Sequence, residues 1–170
     1  MLKNSDTTLA YIAGLVDGEA YIGIKKTKAY RCQGRVTPGY HERIQIRMVD
    51  EAAIKFISES FGGWYYKEKP NAVKGRPLYC FQASDLSAES ILRAILPYLR
   101  IKRESAETVL RLRTLKRTTS QHRTKITGQR SFPNKYGTIR MVATKCLSDE
   151  FVAQCDILYL RCKTLNRVGV

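Results

Sequence analysis

The run Leu9 to Ala20, LAYIAGLVDGEA, constrains this chain more than any other stretch. Ala10, Ala13 and Gly14 sit among Leu9, Tyr11, Ile12, Leu15 and Val16, an apolar helical pattern that Asp6, Thr7 or Thr8 can cap at its start and Gly18 can stop. Its far end does not fit a plain core helix. Asp17 and Glu19 fall where the last turn leaves carbonyls unpaired and the helix dipole already places about half a negative charge. A cation at this end reverses that penalty.

With 170 residues the chain suits one domain with a proper core, spanning 1–170. Lys and Arg number 30 against 15 Asp and Glu, a net charge of +15, so a polyanion is the expected partner. The apolar runs fall short of spanning length and Met1-Leu2-Lys3-Asn4 lacks a signal-peptide core, which points away from a membrane and from secretion and toward an intracellular site, cytoplasm, nucleoid or organelle. The cysteines, Cys32, Cys80, Cys146, Cys155 and Cys162, show no CxxC spacing and read as reduced thiols. Cys155 and Cys162 share one face of a C-terminal helix and suit packing.

After Glu19 the period changes from helical to alternating. Tyr21, Gly23, Lys25 and Thr27 take one face of a strand and Ile22, Ile24 and Lys26 the other. A basic loop over 28–40 leads to a second strand with His41, Arg43, Gln45 and Arg47 on one face and Ile44, Ile46 and Met48 on the other. Asp50 caps a helix that runs through Phe61 to Gly62-Gly63. Trp64 to Lys69 is a third strand, with Tyr65, Lys67 and Lys69 on a common face; Leu78 to Ala83 is a fourth, with Tyr79 and Phe81 opposite Leu78, Cys80 and Gln82. A third helix, from Ser84 or Ser87 and covering Ala88 to Leu96, halts at Pro97.

This order, αββαββα, predicts an α+β domain with helices on one face of a twisted antiparallel sheet. The other face is rich in Arg, Lys, Gln and Tyr, side chains suited to reading bases in a major groove. A fourth helix carries Val109, Leu110, Leu112 and Leu115 and exposes Arg103, Arg111, Arg113, Lys116 and Arg117. Residues 118–140 read as a cationic linker that orders on phosphates. A last helix covers about Ser148 to Leu165, packed through Phe151, Val152, Cys155, Leu158, Tyr159 and Cys162. No internal repeat is found. His41 and His122 lack a partner acid at an informative spacing, and there is no Gly-rich phosphate loop or Ser-His-Asp order.

Ile12-Ala13-Gly14-Leu15-Val16-Asp17-Gly18-Glu19-Ala20 resembles the LAGLIDADG motif of homing endonucleases, with Ile for the first Leu, Glu for the second acid and Ala for the final Gly. The resemblance extends over about residues 8–115. It implies a homodimer, since cutting both strands of a duplex needs two active sites and one motif supplies one. Ala10, Ala13 and Gly14, with Asp17, would form the seam between two motif helices. The resemblance makes Glu19 the metal ligand, assisted by the Gly18 carbonyl, with Asp17 ordering the helix end. The cofactor is Mg²⁺, for which Mn²⁺ can substitute, while Ca²⁺ supports binding without cleavage.

Pro97-Tyr98-Leu99-Arg100-Ile101-Lys102 is similar to the family segment that carries a catalytic lysine, a role that falls on Lys102. The family Gln and Arg that hold active-site solvent fall near Met48 and Ala52 here, a departure for which Gln45 and Arg47 are the nearby replacements. The DNA-contacting set is then Tyr21, Lys25, Thr27, Lys28, Tyr30 and Arg35 on the first strand and its loop, and His41, Arg43, Gln45 and Arg47 on the second. Tyr65, Lys67, Lys69, Arg76, Cys80 and Gln82 add the second hairpin, and Arg123, Lys125, Arg130 and Lys135 add backbone contacts. The expected activity is a staggered double-strand cut in a long pseudo-palindromic site. The alternatives are a catalytically inactive DNA-binding regulator or intron-RNA-binding maturase of the same fold, and a basic structural protein that binds without sequence preference.

Overall fold

The computed structural model describes residues 5–29, 37–69, 75–118, 124–133, 137 and 139–168. Helix α1 (Asp6–Glu19) turns directly into strand β1 (Ala20–Thr27), and β2 (Gly39–Met48) returns antiparallel to it. Next come α2 (Glu51–Phe61), β3 (Tyr65–Glu68), β4 (Leu78–Ser84) and α3 (Asp85–Ile95), then a 3-10 turn (Leu96–Tyr98) containing Pro97 and α4 (Arg103–Thr118). The αββαββα order stands as expected. Its four strands form one antiparallel sheet in the order β1-β2-β4-β3.

The register sorts every strand residue to a face. Ile22 pairs with Ile44, Ile44 with Ala83 and Ile46 with Phe81, so these side chains share the face covered by α1, α2, α3 and α4. That layer is the core, with Ile12, Ile22, Ile24, Ile44, Ile46, Ile54, Ile57, Leu92, Ile95 and Leu112 wholly inaccessible or nearly so. Tyr21 pairs with Gln45, Gly23 with Arg43, Gln45 with Gln82 and Arg47 with Cys80, which assembles the polar residues on the opposite, helix-free face.

Local signals explain the element ends. Ser5, rather than Asp6, Thr7 or Thr8, caps α1, its hydroxyl accepting from the Thr8 N–H at 3.2 Å. Gly18 does not stop this helix, which continues through Glu19 because Ala20 enters the sheet at once. Asp50 caps α2 as expected, and Gly62 (φ 73°) and Gly63 (φ 113°) end it in a backbone region that a side chain would oppose.

Two regions differ from expectation. The stretch expected to be a cationic linker contains β5 (Thr124–Pro133) paired with β6 (Ile139–Leu147) in a separate two-stranded sheet, shifted in register between Ile126 and Gly128. β5 is dominated by polar and cationic residues, and β6, though mostly apolar, lacks a clean alternation, so no strand period marked them. In α4, Arg113 and Lys116 are not solvated: they are 12% and 14% exposed and both donate at 2.8 Å to Glu42, which lies on the core side of β2 with no exposure. Arg103, Arg111 and Arg117 do face solvent. Helix α5 (Asp149–Val168) then lies along the free edge of β1, burying Phe151, Cys155 and Cys162. Burial pushes the Cys155 thiol up to about 11 and that of Cys162 to about 12, so both are inert packing groups.

Candidate active site and nucleic-acid interface

The acidic end of α1 is built by a contact with the segment after the 3-10 turn. Asp17 accepts two backbone hydrogen bonds, from Arg100 N–H at 2.7 Å and Lys102 N–H at 2.8 Å. The side chain of Lys102 then turns back and its ammonium donates to the Val16 carbonyl at 3.1 Å. This is the cation that the acidic helix end calls for, and it comes from the chain itself. Burial lowers the Lys102 pKa, while the Asp17 and Glu19 charges pull in the opposite direction. Glu19 and Gly18 remain exposed at the tip, one residue from the start of β1.

Lys102 and Glu19 are thus brought to the same helix end, and Asp17 is the group that fastens them together. Among the described residues no three His, Cys, Asp or Glu side chains gather into a metal-holding group, so this helix tip is not a closed protein cage. An exposed carboxylate beside the backbone of an exposed glycine fits Mg²⁺, which keeps several waters and takes few protein ligands beside phosphate oxygens.

From this tip the polar sheet face extends outward. Arg43 donates through Nη2 to Gln45 Oε1 at 3.1 Å and also to Gln82 Oε1 on the neighbouring strand. Gln45 in turn donates to Cys80 Sγ at 3.2 Å. Arg47, expected as a replacement for the outer solvent shell, is held through Nε (2.9 Å) and Nη2 by the Glu68 carboxylate instead. Gln45 is likewise engaged with its sheet neighbours. His41 Nδ1 lies 3.1 Å from the Asp85 carboxylate. Tyr21, Lys25 and Gln82 are exposed on this face, Thr27 is half-buried at its end and Lys28 follows in the exposed loop; Cys80 belongs to the face but is fully covered.

Several expected placements are corrected. Tyr65 and Lys67 lie on the helix side of the sheet, because Tyr65 pairs with Phe81 and Lys67 with Tyr79. The Tyr65 hydroxyl donates to Glu51 on α2, and the Lys67 ammonium sits 5.9 Å from the Tyr79 ring. Their strand places Tyr66 and Glu68 on the polar face instead. Lys69 and Arg76 are exposed beyond the strand ends. In the expected seam, Ala10 and Gly14 are exposed, but Ala13 is wholly buried in the chain's own core and Asp17 is occupied by the 100–102 backbone. Lys125 and Arg130 lie on β5, opposite Cys146 and Val142. Tyr30, Arg35, Arg123 and Lys135, with Cys32 and His122, fall outside the described residues.

The sequence reading missed Tyr66, Glu68, and Tyr159 and Lys163 of α5, which reach the edge of the polar face beside Tyr21 and Lys25. For Tyr66 and Glu68 a signal existed, since the apolar parity of Tyr79 and Phe81 fixes the face of their strand partners once the pairing is known. For Tyr159 and Lys163 nothing local distinguishes a helix that flanks a binding face from one that packs elsewhere.

No protein-family model matches the sequence, and no curated protein is similar to it at the sequence level. Solved structures are similar in fold. The homing endonuclease I-CvuI, in complex with a DNA target, superposes with a TM-score of 0.61 at 17% identity over 94% of this chain and 82% of that one. The archaeal intron-encoded homing endonuclease I-Vdi141I, complexed with DNA, gives 0.64 at 11% identity over 95% and 86%. The homing endonuclease I-TnaI gives 0.57 at 12% identity, with 98% of this chain and all of that chain covered (100%). With the helix-to-strand motif at its centre and one polar sheet face left open, this chain has the fold of the LAGLIDADG homing endonucleases.

Proposed function

We propose that this chain is a site-specific DNA endonuclease that acts as a homodimer and hydrolyses phosphodiester bonds with Mg²⁺. The observation that carries this reading is the α1 tip: Asp17 holds the Lys102 loop against the helix end, and an exposed Glu19 stands where that end meets the polar sheet face. I-CvuI, a protein of similar fold, is known with the I-CreI target in Mg²⁺, where the DNA is not cleaved, and with its own target in Ca²⁺, which supports a divalent ion beside the DNA rather than a particular one.

Glu19 and the Gly18 carbonyl would hold a divalent ion, which would supply a polarised water and charge neutralisation at the leaving oxygen. Lys102 offsets the charge that develops on the phosphate, and Asp17 fixes the segment that presents Lys102. Arg43, braced by Gln45 and Gln82, contacts base edges in the major groove. Two copies joined along the Ala10 and Gly14 side of α1 bring two such tips to one duplex and give a staggered cut in a long pseudo-palindromic site. Mn²⁺ supports the same reaction, and Ca²⁺ supports binding alone.

The test is cleavage of a site recovered by selection from a random duplex library. Glu19→Gln keeps the affinity measured in Ca²⁺ and loses cutting in Mg²⁺. Wild-type protein that binds its selected site yet leaves it uncut in Mg²⁺ and Mn²⁺ overturns the enzyme reading in favour of a DNA-binding regulator. Preference for intron RNA over duplex DNA overturns it in favour of a maturase.

A further inference from the structure

Helix α5 does more than close the edge of β1. Its side chains Tyr159 and Lys163, one turn apart, meet Tyr21, Lys25 and Arg43 around a groove of about 510 Å³ at the margin of the polar sheet face. Five cationic side chains line this groove and no carboxylate does. Two of the five are already neutralised, Lys26 by Asp156 at 2.5 Å and Arg47 by Glu68. The others keep their charge: Arg43 donates to neutral glutamine amides, and Lys25 and Lys163 are exposed. The Tyr159 ring holds two ammonium groups, Lys163 at 5.6 Å and Lys26 at 5.8 Å from its centre. A ring contact of this kind orients a lysine without quenching its charge.

The position of α5 is itself fixed. Asp156 accepts from both Lys26 and the Tyr40 hydroxyl, the latter at 2.9 Å, and Asn166 donates to the Ile22 carbonyl on the free edge of β1 at 2.8 Å. A rigid helix that places an uncompensated lysine next to a base-reading face is suited to a group carrying negative charge just outside the groove of the duplex.

We infer that Tyr159 and Lys163, together with Lys25, form a clamp for a backbone phosphate of the DNA strand flanking the bases read by Arg43. The inference rests on the DNA-binding reading above. It assigns α5 a role in affinity rather than in base choice, because a phosphate contact carries no sequence information.

The test compares wild type with Lys163→Gln and Lys163→Arg in Ca²⁺ across a salt series. The probes are a fluorescent duplex bearing the selected site and one of unrelated sequence. Lys163→Gln weakens binding to both duplexes by the same factor, about threefold to tenfold, and makes the slope of log affinity against log salt shallower by about 0.9; Lys163→Arg restores both. An unchanged slope and affinity in Lys163→Gln, with wild type still binding, overturns the clamp and leaves the DNA reading in place. A loss confined to substitutions at one base pair also overturns it, in favour of a base contact. Wild type that binds neither duplex at any salt overturns the DNA reading and the clamp together.

Discussion

Asp17 shows how much one side chain can organise. Its two carboxylate oxygens each accept one backbone N–H, so the Arg100 to Lys102 segment is fixed in direction as well as position. Hydrogen bonds to a charged acceptor contribute more than neutral ones, roughly 1.5–3 kcal/mol each in favourable cases. Asp17→Asn, which keeps the shape and halves the accepting capacity, is expected to cost about 2 kcal/mol in denaturant-induced unfolding. It should also slow cleavage without weakening DNA affinity in Ca²⁺, because Lys102 loses its orientation while the sheet face is untouched. Arg43 obeys the same logic on that face: two glutamine oxygens from paired positions hold Nη2 while Nε lies buried without a hydrogen-bond partner, so the direction of the guanidinium is fixed.

At the level of elements, two ionic links, one buried and one partly exposed, decide how helices sit on the sheet. Glu42, Arg113 and Lys116 tie α4 to β2 on the core side, with Asp85 and Glu89 of α3 at 3.6–3.7 Å completing the cluster. Glu42 Oε1 and Arg113 Nε have no hydrogen-bond partner there, which makes the cluster more a device of specificity than a source of stability. The second link is Asp156, which fastens α5 to β1 and β2. Burial opposes its ionisation, but hydrogen bonds from Lys26 and Tyr40 and the Lys26 charge outweigh burial and hold its carboxyl below the usual range. A depressed carboxyl stabilises the fold above its unfolded pKa and loses that contribution as the pH falls through its folded value. Asp156→Asn is therefore expected to destabilise by about 1 kcal/mol at neutral pH, a figure already reduced for solvent screening. Thermal unfolding measured between pH 7 and pH 2 should show the gap between variant and wild type closing below about pH 4.

For the whole molecule the decisive quantity is symmetry. On the proposed reading one α1 tip per chain acts on one strand, so double-strand cutting would depend on the pairing of two chains. A Cβ at Gly14 would meet nothing within 4 Å beyond its chain neighbours and the adjacent backbone of its own helix, so bulk there tests the seam with little disturbance to the fold. Gly14→Phe is expected to keep the wild-type melting temperature within a few degrees, sediment as a monomer at concentrations where wild type is a dimer, and lose double-strand cutting by at least about a hundredfold, the scale of a lost positioning effect. The net charge of +15 acts at the same scale: on the proposed reading it draws the protein to any duplex and leaves base choice to the sheet face.

By itself the sequence determined the αββαββα order, the apolar faces of β1 and β2 and the singular character of Leu9 to Ala20, because helical and strand periods are local properties that burial imposes residue by residue. Asp50 and the glycines after Phe61 marked their helix ends for the same reason. Tertiary structure alone decided which neighbours those faces meet. The pairing of β3 with β4 moved Tyr65 and Lys67 to the helix side, the core claimed Ala13 from the seam, and Glu42 drew Arg113 and Lys116 out of solvent. The cation that the acidic end of α1 requires, and the helix that brings Tyr159 and Lys163 to the polar face, are contacts across 86 residues of chain or more, and no local pattern encodes them.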